Sequence, residues 1–348
     1  MAEQLPTNVG DVRPNHRFDE ARLAEWLRAN VEGVSGAVEV RQFHGGASNP
    51  TFLVTSGEQQ LVLRKKPPGQ LLASAHQVDR EYRVMRALGT VDFPVPKMRA
   101  LCLDESIIGT TFYVMDFLAG RIFRDARLPG LEPAQRAAIY DDLNAVLAKL
   151  HQVDYAAIGL ADYGRPGNYF VRQIDRWTKQ YRGAETQPIP AMERLIAELP
   201  ARIPADDQTT IAHGDYRLEN VMYHPTEPRI VAVLDWELST LGHPLADIGY
   251  NAMLWNSHSV SWGTLDGVDF ATSGIPTQAD YVAAYCRRTG RDHIDDFNFY
   301  LAFAAFRLAS IGQGVFKRNL DGIGAQDAGG DNSGTIERAE AALASLDA

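Results

Sequence analysis

Up to about Gly120 the apolar positions fall in short runs that alternate with polar ones, and after it they recur every third or fourth residue. Alternation marks half-buried strands, and the longer period marks one-sided helices. Val38 to Phe43, Thr51 to Thr55, Gln60 to Lys65, Lys97 to Leu103 and Thr111 to Phe117 therefore read as strands. Two helices interrupt them. One opens at Phe18-Asp19, with Asp19 placed as a cap and Leu23, Trp26 and Leu27 on one face. The other runs from Ala75 to Leu88 with Val78, Tyr82, Met85 and Leu88 aligned. Later, helical spacing covers Glu132 to Asp154, Tyr169 to Tyr181, Pro188 to Leu199, Gln278 to Thr289, Asp295 to about Phe316 and Ile336 to Leu346. The pattern predicts an α+β fold: an irregular arm over 1–17, a β-rich lobe over 18–118 and a mostly helical lobe over 119–348. The 348-residue length agrees, since one core stops growing at roughly 250–300 residues.

Composition narrows the function classes. A net charge of −10 and a pI near 5.4 argue against a general nucleic-acid or anionic-membrane binder. A bound nucleotide would need a local basic site instead. Cys102 and Cys286 are far apart and without metal-ligand spacing, so they read as buried thiols in a reducing compartment. The first residues lack a basic-then-apolar leader, and no stretch approaches the ~18 apolar residues that span a bilayer. The expectation is a soluble cytoplasmic protein; no pattern bears on its oligomeric state.

The chemistry concentrates between Ile211 and Gly249. Ile211-Ala212 and Ile230 to Leu234 read as strands that each end in acids and amides, with a polar, Pro-containing turn, His224 to Pro228, between them. Pairing the two would bring Asp215, Asn220 and Asp235 into one site. A carboxylate and an amide oxygen are hard ligands suited to Mg²⁺, and a second carboxylate remains to take a proton from a hydroxyl. Taken singly, each residue reads as a turn residue bonding its own backbone; the ordered set reads as equipment for phosphoryl transfer.

His213-Gly214-Asp215, four residues, Asn220, and then Asp235 after an apolar strand resembles the catalytic and metal-binding loops of the aminoglycoside phosphotransferase family. The run Gly242 to Gly249 is similar to that of the kinase-like domains fused to acyl-CoA dehydrogenases. The resemblance implies a protein-kinase-like two-lobe fold holding ATP and Mg²⁺ in a cleft. Asp215 would accept the hydroxyl proton, Asn220 and Asp235 would hold the metal, and His213 would orient the loop from behind. Arg217 would either help neutralise the transferring phosphoryl or pair with Glu219 or Glu237.

In the β-rich lobe the small polar loop His44 to Pro50 offers backbone N–H groups at Gly45 and Gly46 and side-chain donors at Ser48 and Asn49, although it matches no named phosphate-loop pattern. Alternation puts Val62 and Arg64 on one strand face and Lys65 on the other. The resemblance gives Arg64 the phosphate-steadying position that the family usually gives to Lys, with Lys65 as the alternative, Glu81 as the ion-pair partner and Val62 against the adenine. It also makes Asp116 and Phe117 the hinge and Met115 a liner. The acceptor it implies is a small hydroxyl compound, with a hydroxy-acyl or acyl-CoA compound ranked ahead of an aminoglycoside, because the segment Met253, Trp255, His258, Trp262 suits an apolar group. A nucleotide-binding protein without turnover is the rival from another class, and the Arg at the Lys position is its best support.

Overall fold

The computed structural model describes residues 8–44, 49–67, 77–256, 264–322 and 331–348. The candidate loop residues Gly45, Gly46 and Ser48, and also His258 and Trp262, lie outside them. The chain forms two compact units, Met1–Gly120 with Val231–Glu237, and Arg121–Ile230 with Leu238–Ala348.

The first unit contains β1 (Val9–Gly10), α1 (Glu20–Asn30), β2 (Glu39–Phe43), β3 (Thr51–Ser56), β4 (Gln59–Lys65), α2 (Val78–Leu88), β5 (Met98–Cys102) and β6 (Phe112–Asp116). The strands make one antiparallel sheet in the order β1-β2-β3-β4-β6-β5. Residues 1–17 were expected to form an irregular arm; within it β1 pairs with Phe43 and Gln42 of β2. The buried Gln42 side chain accepts the Arg13 N–H at 3.0 Å and meets the His16 ring at 2.7 Å. As expected, the Asp19 carboxylate caps α1, accepting from the Ala21 and Arg22 N–H groups.

Alternation gives the sheet two different faces. Phe52, Val54, Leu61, Leu63, Phe112 and Val114 point to one side, where Leu23 and Leu27 of α1 close the core. Lys65 shares that face: it is buried, with its ammonium over the Phe18 and Phe52 rings at 5.7 and 5.9 Å, and burial lowers its pKa. On the other face Val62 and Arg64 stand beside Met115 and Tyr113, their register partners on β6. Against β5 and β6 lies α2, which buries Val78, Glu81, Tyr82, Val84, Met85 and Leu88.

The second unit contains α3 (Pro133–His151), α4 (Tyr169–Ala184), α5 (Pro190–Glu198), β7 (Thr210–Ala212), β8 (Val221–Tyr223), the start of β9 (Ile230–Val233, which runs into the first unit), β10 (Thr240–Gly242), α6 (Pro244–Ala252), α7 (Gln278–Thr289), α8 (Phe297–Leu320) and α9 (Ser333–Asp347). The long helix α8 packs against α4, α6 and α9, and α3 packs against α7. By length and composition α8 could cross a membrane, contrary to the expectation that no stretch approaches this; 72% of its apolar window is buried inside the fold, which accounts for its composition. A second correction concerns β7. Its antiparallel partner is β10, with Ala212 opposite Thr240, and not the Ile230 strand. The short apolar runs carried no register information, and the nearer run in sequence was not the partner.

Candidate active site

In the first unit, Arg64 sits at the centre of a buried electrostatic cluster. Its Nε lies 3.1 Å from a Glu81 carboxylate oxygen, and one terminal nitrogen lies 2.6 Å from Asp235. Glu81 is 1% exposed. It also accepts from the Asn49 amide at 2.8 Å and the Tyr113 hydroxyl at 3.1 Å, so three groups converge on one helix residue. Burial works against the Arg64 charge, but Glu81 first and then Tyr113, Asp235 and Glu237 outweigh it and raise the pKa. Burial pushes Glu81 up to about 7, with Arg64 pulling it down and Asp235 and Glu237 adding to the rise. Two carboxylates, Glu81 and Asp235, thus contact one guanidinium, and Glu237 adds its charge to the cluster.

Asp235 is placed by its own backbone and by the residue after it. Its φ is +63°, in the left-handed region that few side chains other than Asn and Asp enter readily. The fully buried Trp236 indole donates to the Val233 carbonyl at 3.0 Å and packs edge-on against Phe93, anchoring the turn. The strand before it is tied down where the Val233 N–H donates to the Pro94 carbonyl at 2.8 Å.

In the second unit the loop after β7 is held from beneath by Asp247, in the first turn of α6. This carboxylate accepts the backbone N–H groups of His213 at 2.6 Å and Gly214 at 2.8 Å, and lies 3.3 Å from His151 Nε2. The other ring nitrogen of His151 meets the Tyr285 hydroxyl at 2.7 Å. Burial pushes the Asp247 pKa up, but the hydrogen bond and charge of His151, the charge of His213 and the Gly214 N–H together bring it below the usual carboxylate value. Gly214 has φ +82°, and a Cβ there would lie 2.7 Å from the Leu238 carbonyl oxygen, so only glycine fits. Next along, the Asp215 N–H donates to the His213 ring at 3.2 Å. His213 and Asp247 are thus the support, and Asp215 is what they present.

The Asp215 carboxylate is gripped from both sides. The Asn220 amide donates to Oδ2 at 2.7 Å and to the Asp215 main-chain carbonyl at 2.8 Å, while the Tyr250 hydroxyl donates to Oδ1. Asn220 has only its carbonyl oxygen left, which has no hydrogen-bond partner among the described residues; that atom is the one a cation would take. The Arg217 guanidinium pairs with Glu219 at 2.7 Å and reaches Asp215 Oδ1 only at 3.5 Å.

Several predicted residues take roles the sequence did not show. Asn49, expected to face a phosphate, spends its amide on Glu81. Asp116 and Phe117, expected as the hinge, spend their N–H groups beside the sheet, on the Lys97 carbonyl at 2.9 Å and the Gln60 carbonyl at 3.3 Å, and the Asp116 carboxylate pairs with Arg99. Val62 and Met115 are buried side by side in register. Sequence reasoning missed Tyr250 and assigned no role to Asp247. Asp247 lay inside the run Gly242 to Gly249 that drew attention, but nothing in the spacing marked Tyr250.

An antiparallel sheet with a strand arginine braced by a helix glutamate, and a helical unit carrying a clamped Asp-x4-Asn loop, together define a phosphotransferase of the kinase-like fold. The phosphotransferase enzyme family model matches residues 39–296, and the chain belongs to that family. The chain is 46% identical over 341 residues to acyl-CoA dehydrogenase family member 10 of Mus musculus, a match covering 97% of this chain but only 32% of that protein. A crystal structure from Ralstonia eutropha JMP134, provisionally named an aminoglycoside phosphotransferase, superposes with a TM-score of 0.87 at 50% identity over 95% of this chain and 99% of that one. At 16% identity, a thermostable mutant of aminoglycoside phosphotransferase APH(4)-Ia, solved with ADP and hygromycin B, shares the fold with a TM-score of 0.60 over 92% of this chain and 97% of its own.

Proposed function

We propose that this chain transfers the γ-phosphate of ATP to a hydroxyl of a small-molecule acceptor, an acyl-bearing compound first. The observation that carries the reading is the Asp215 carboxylate, fixed by Asn220 and Tyr250 on a loop locked by Asp247. A carboxylate held this way is aimed rather than free, as a group that accepts the acceptor's proton must be. The acceptor oxygen forms a bond to the γ-phosphorus, the bond to the departing ADP breaks, and the hydroxyl proton passes to Asp215 and then to solvent. Arg64 steadies the nucleotide phosphates while Glu81 holds the guanidinium in place. Each unit offers a donor suited to a divalent cation: in the second the Asn220 carbonyl oxygen is left over, and in the first Asp235 belongs to a cluster with more carboxylates than guanidinium groups. Bound Mg²⁺ would neutralise charge developing on the phosphates.

The acyl-bearing acceptor is supported by two observations. The second unit contains a cavity of about 730 Å³ whose wall joins apolar Met253, Trp255, Leu301 and Ala305 to polar and charged groups such as Asn298 and Arg338, a mixed lining with room for an acyl group. The chain also resembles about a third of a protein named for acyl-CoA dehydrogenation. The name attached to the Ralstonia neighbour favours a second reading, an aminoglycoside acceptor.

The test is ATP·Mg²⁺ incubated with hydroxy-acyl-CoAs, hydroxy acids, simple alcohols, sugars and aminoglycosides, reading ADP release together with mass gain on the acceptor. A phosphorylated hydroxy-acyl compound supports the reading. Phosphorylated aminoglycoside with growth protection reverses the order of acceptors, and no ATP binding by folded protein overturns the reading altogether. Asp215→Asn should lower kcat by about 10²- to 10⁴-fold while nucleotide affinity stays within a few-fold.

A further inference from the structure

Arg307, in the middle of α8, is 7% exposed and has no carboxylate or hydrogen-bond partner among the described residues. Its guanidinium lies between two rings, 5.5 Å from the centroid of Trp177 and 5.6 Å from that of Tyr250. Arg176, exposed on α4, lies over the same Trp177 ring at 5.2 Å and likewise has no such partner among the described residues. Burial and the Arg307 charge both press the Arg176 pKa down, so the two cations feel each other. The contrast with Arg64 is direct, since that partly buried arginine faces two carboxylates.

Such an arrangement costs stability without an anion. A buried charge is retained only when paired or otherwise compensated. Cation–π contact returns about 0.5–2 kcal/mol, well short of the several kcal/mol per ion that desolvation costs. A bound oxyanion would supply that compensation. Its place is informative, because Tyr250, the ring under Arg307, donates its hydroxyl to Asp215. An anion on Arg307 would lie about one tyrosine side chain from the proton-accepting carboxylate.

We propose that Arg307 and Arg176 form an anion-binding subsite on the acceptor side of Asp215, holding a carboxylate or phosphate of the same molecule whose hydroxyl is phosphorylated. This rests on the phosphotransfer reading and sharpens it: the acceptor is a hydroxylated anion. Guanidinium groups grip either oxyanion through paired N–H donors, and two of them repel a polycation. Arg176 at the surface meets the anion first; Arg307 holds it.

The experiment measures binding rather than turnover. The full chain, saturated with a non-hydrolysable ATP analogue and Mg²⁺ so that nucleotide phosphate sites are filled, is titrated with glycerol 3-phosphate and 3-hydroxybutyrate, and with the neutral analogues glycerol and 1,3-butanediol, following thermal stabilisation. Saturable stabilisation by at least one anion and by neither neutral analogue is expected. Losing one charge-assisted contact should weaken the anion by about 10- to 100-fold in Arg307→Met, with partial recovery in Arg307→Lys and a smaller loss in Arg176→Met. The tighter of the two anions names the group. Should Arg307→Met fail to fold, Arg307→Lys and the surface variant Arg176→Met carry the comparison. Equal stabilisation by the neutral analogues, none by either anion, or anion affinities unchanged in the variants would overturn the subsite. Absence of phosphoryl transfer by a protein that still binds anions through Arg307 would overturn the phosphotransfer reading and, separately, the acceptor role given to the anion.

Discussion

Glu81 carries more of the first unit's electrostatics than its place in α2 suggests. Its carboxyl accepts from Asn49 and Tyr113 and faces Arg64, yet burial beside Asp235 and Glu237 raises its pKa from 4.5 to about 7. A group raised in the folded state contributes stability that is fully present below its unfolded pKa and is lost as pH rises through the folded one. Wild type should therefore lose this increment between about pH 4.5 and 7, and Glu81→Gln should flatten the loss. Urea midpoints across that window check it, and parallel curves for the two proteins would contradict it. Asp247 has the opposite sign. Its lowered pKa contributes stability present above about pH 3.8 and lost on further acidification. Asp247→Ala strands two buried N–H groups and His151, and should cost about 3–5 kcal/mol in denaturant unfolding. Arg64 and Glu81 were legible in the sequence because strand alternation and helical spacing fix which way a side chain points. Tyr250 was not, since its hydroxyl meets a carboxylate 35 residues away in a loop.

At the scale of elements, the support of Asp215 depends on how closely α6 approaches α8. A Cβ on Gly249 would come within 2.7 Å of the Tyr300 Cβ and 2.8 Å of its carbonyl oxygen. Gly249→Ala should push the helices apart at a cost of about 1–3 kcal/mol. Because Asp247 rides on α6, kcat should fall with it. Gly183→Ala on α4 is the control, since nothing lies within 4 Å of the added methyl; there the gain in helix propensity should stabilise by up to about 1 kcal/mol. Thermal unfolding of the two variants tests the pair, and equal melting temperatures would show that α6 tolerates the shift. Most helices and strands lay within a few residues of where periodicity put them. The partner of β7 did not, because three-residue strands carry too little pattern to name a partner.

Across the whole molecule, the chain passes from the first unit to the second at Gly120, returns for Val231–Glu237 and leaves again. That return carries Asp235 into the unit that holds Arg64 and Glu81, while Asp215 and Asn220 belong to the other. ATP·Mg²⁺ at 100 times its dissociation constant should stabilise the folded chain by about 2.7 kcal/mol. Removing the metal with EDTA should take away most of that shift in melting temperature. A shift indifferent to EDTA would exclude Asn220 and Asp235 as its metal ligands.

By itself the sequence determined the α+β class, the order of most of the longer helices and strands, the sides of β4 on which Arg64 and Lys65 fall, and the spacing of the candidate residues Asp215, Asn220 and Asp235. Each follows from local period or fixed spacing, which the chain carries wherever it folds. Only the tertiary structure decided that β7 pairs with β10, that Asn49 braces Glu81, that Asp247 and Tyr250 hold the loop bearing Asp215, and that Arg307 is buried with no carboxylate or hydrogen-bond partner among the described residues. Those facts rest on side chains from distant segments meeting in a packed interior, and packing is settled by all the segments at once.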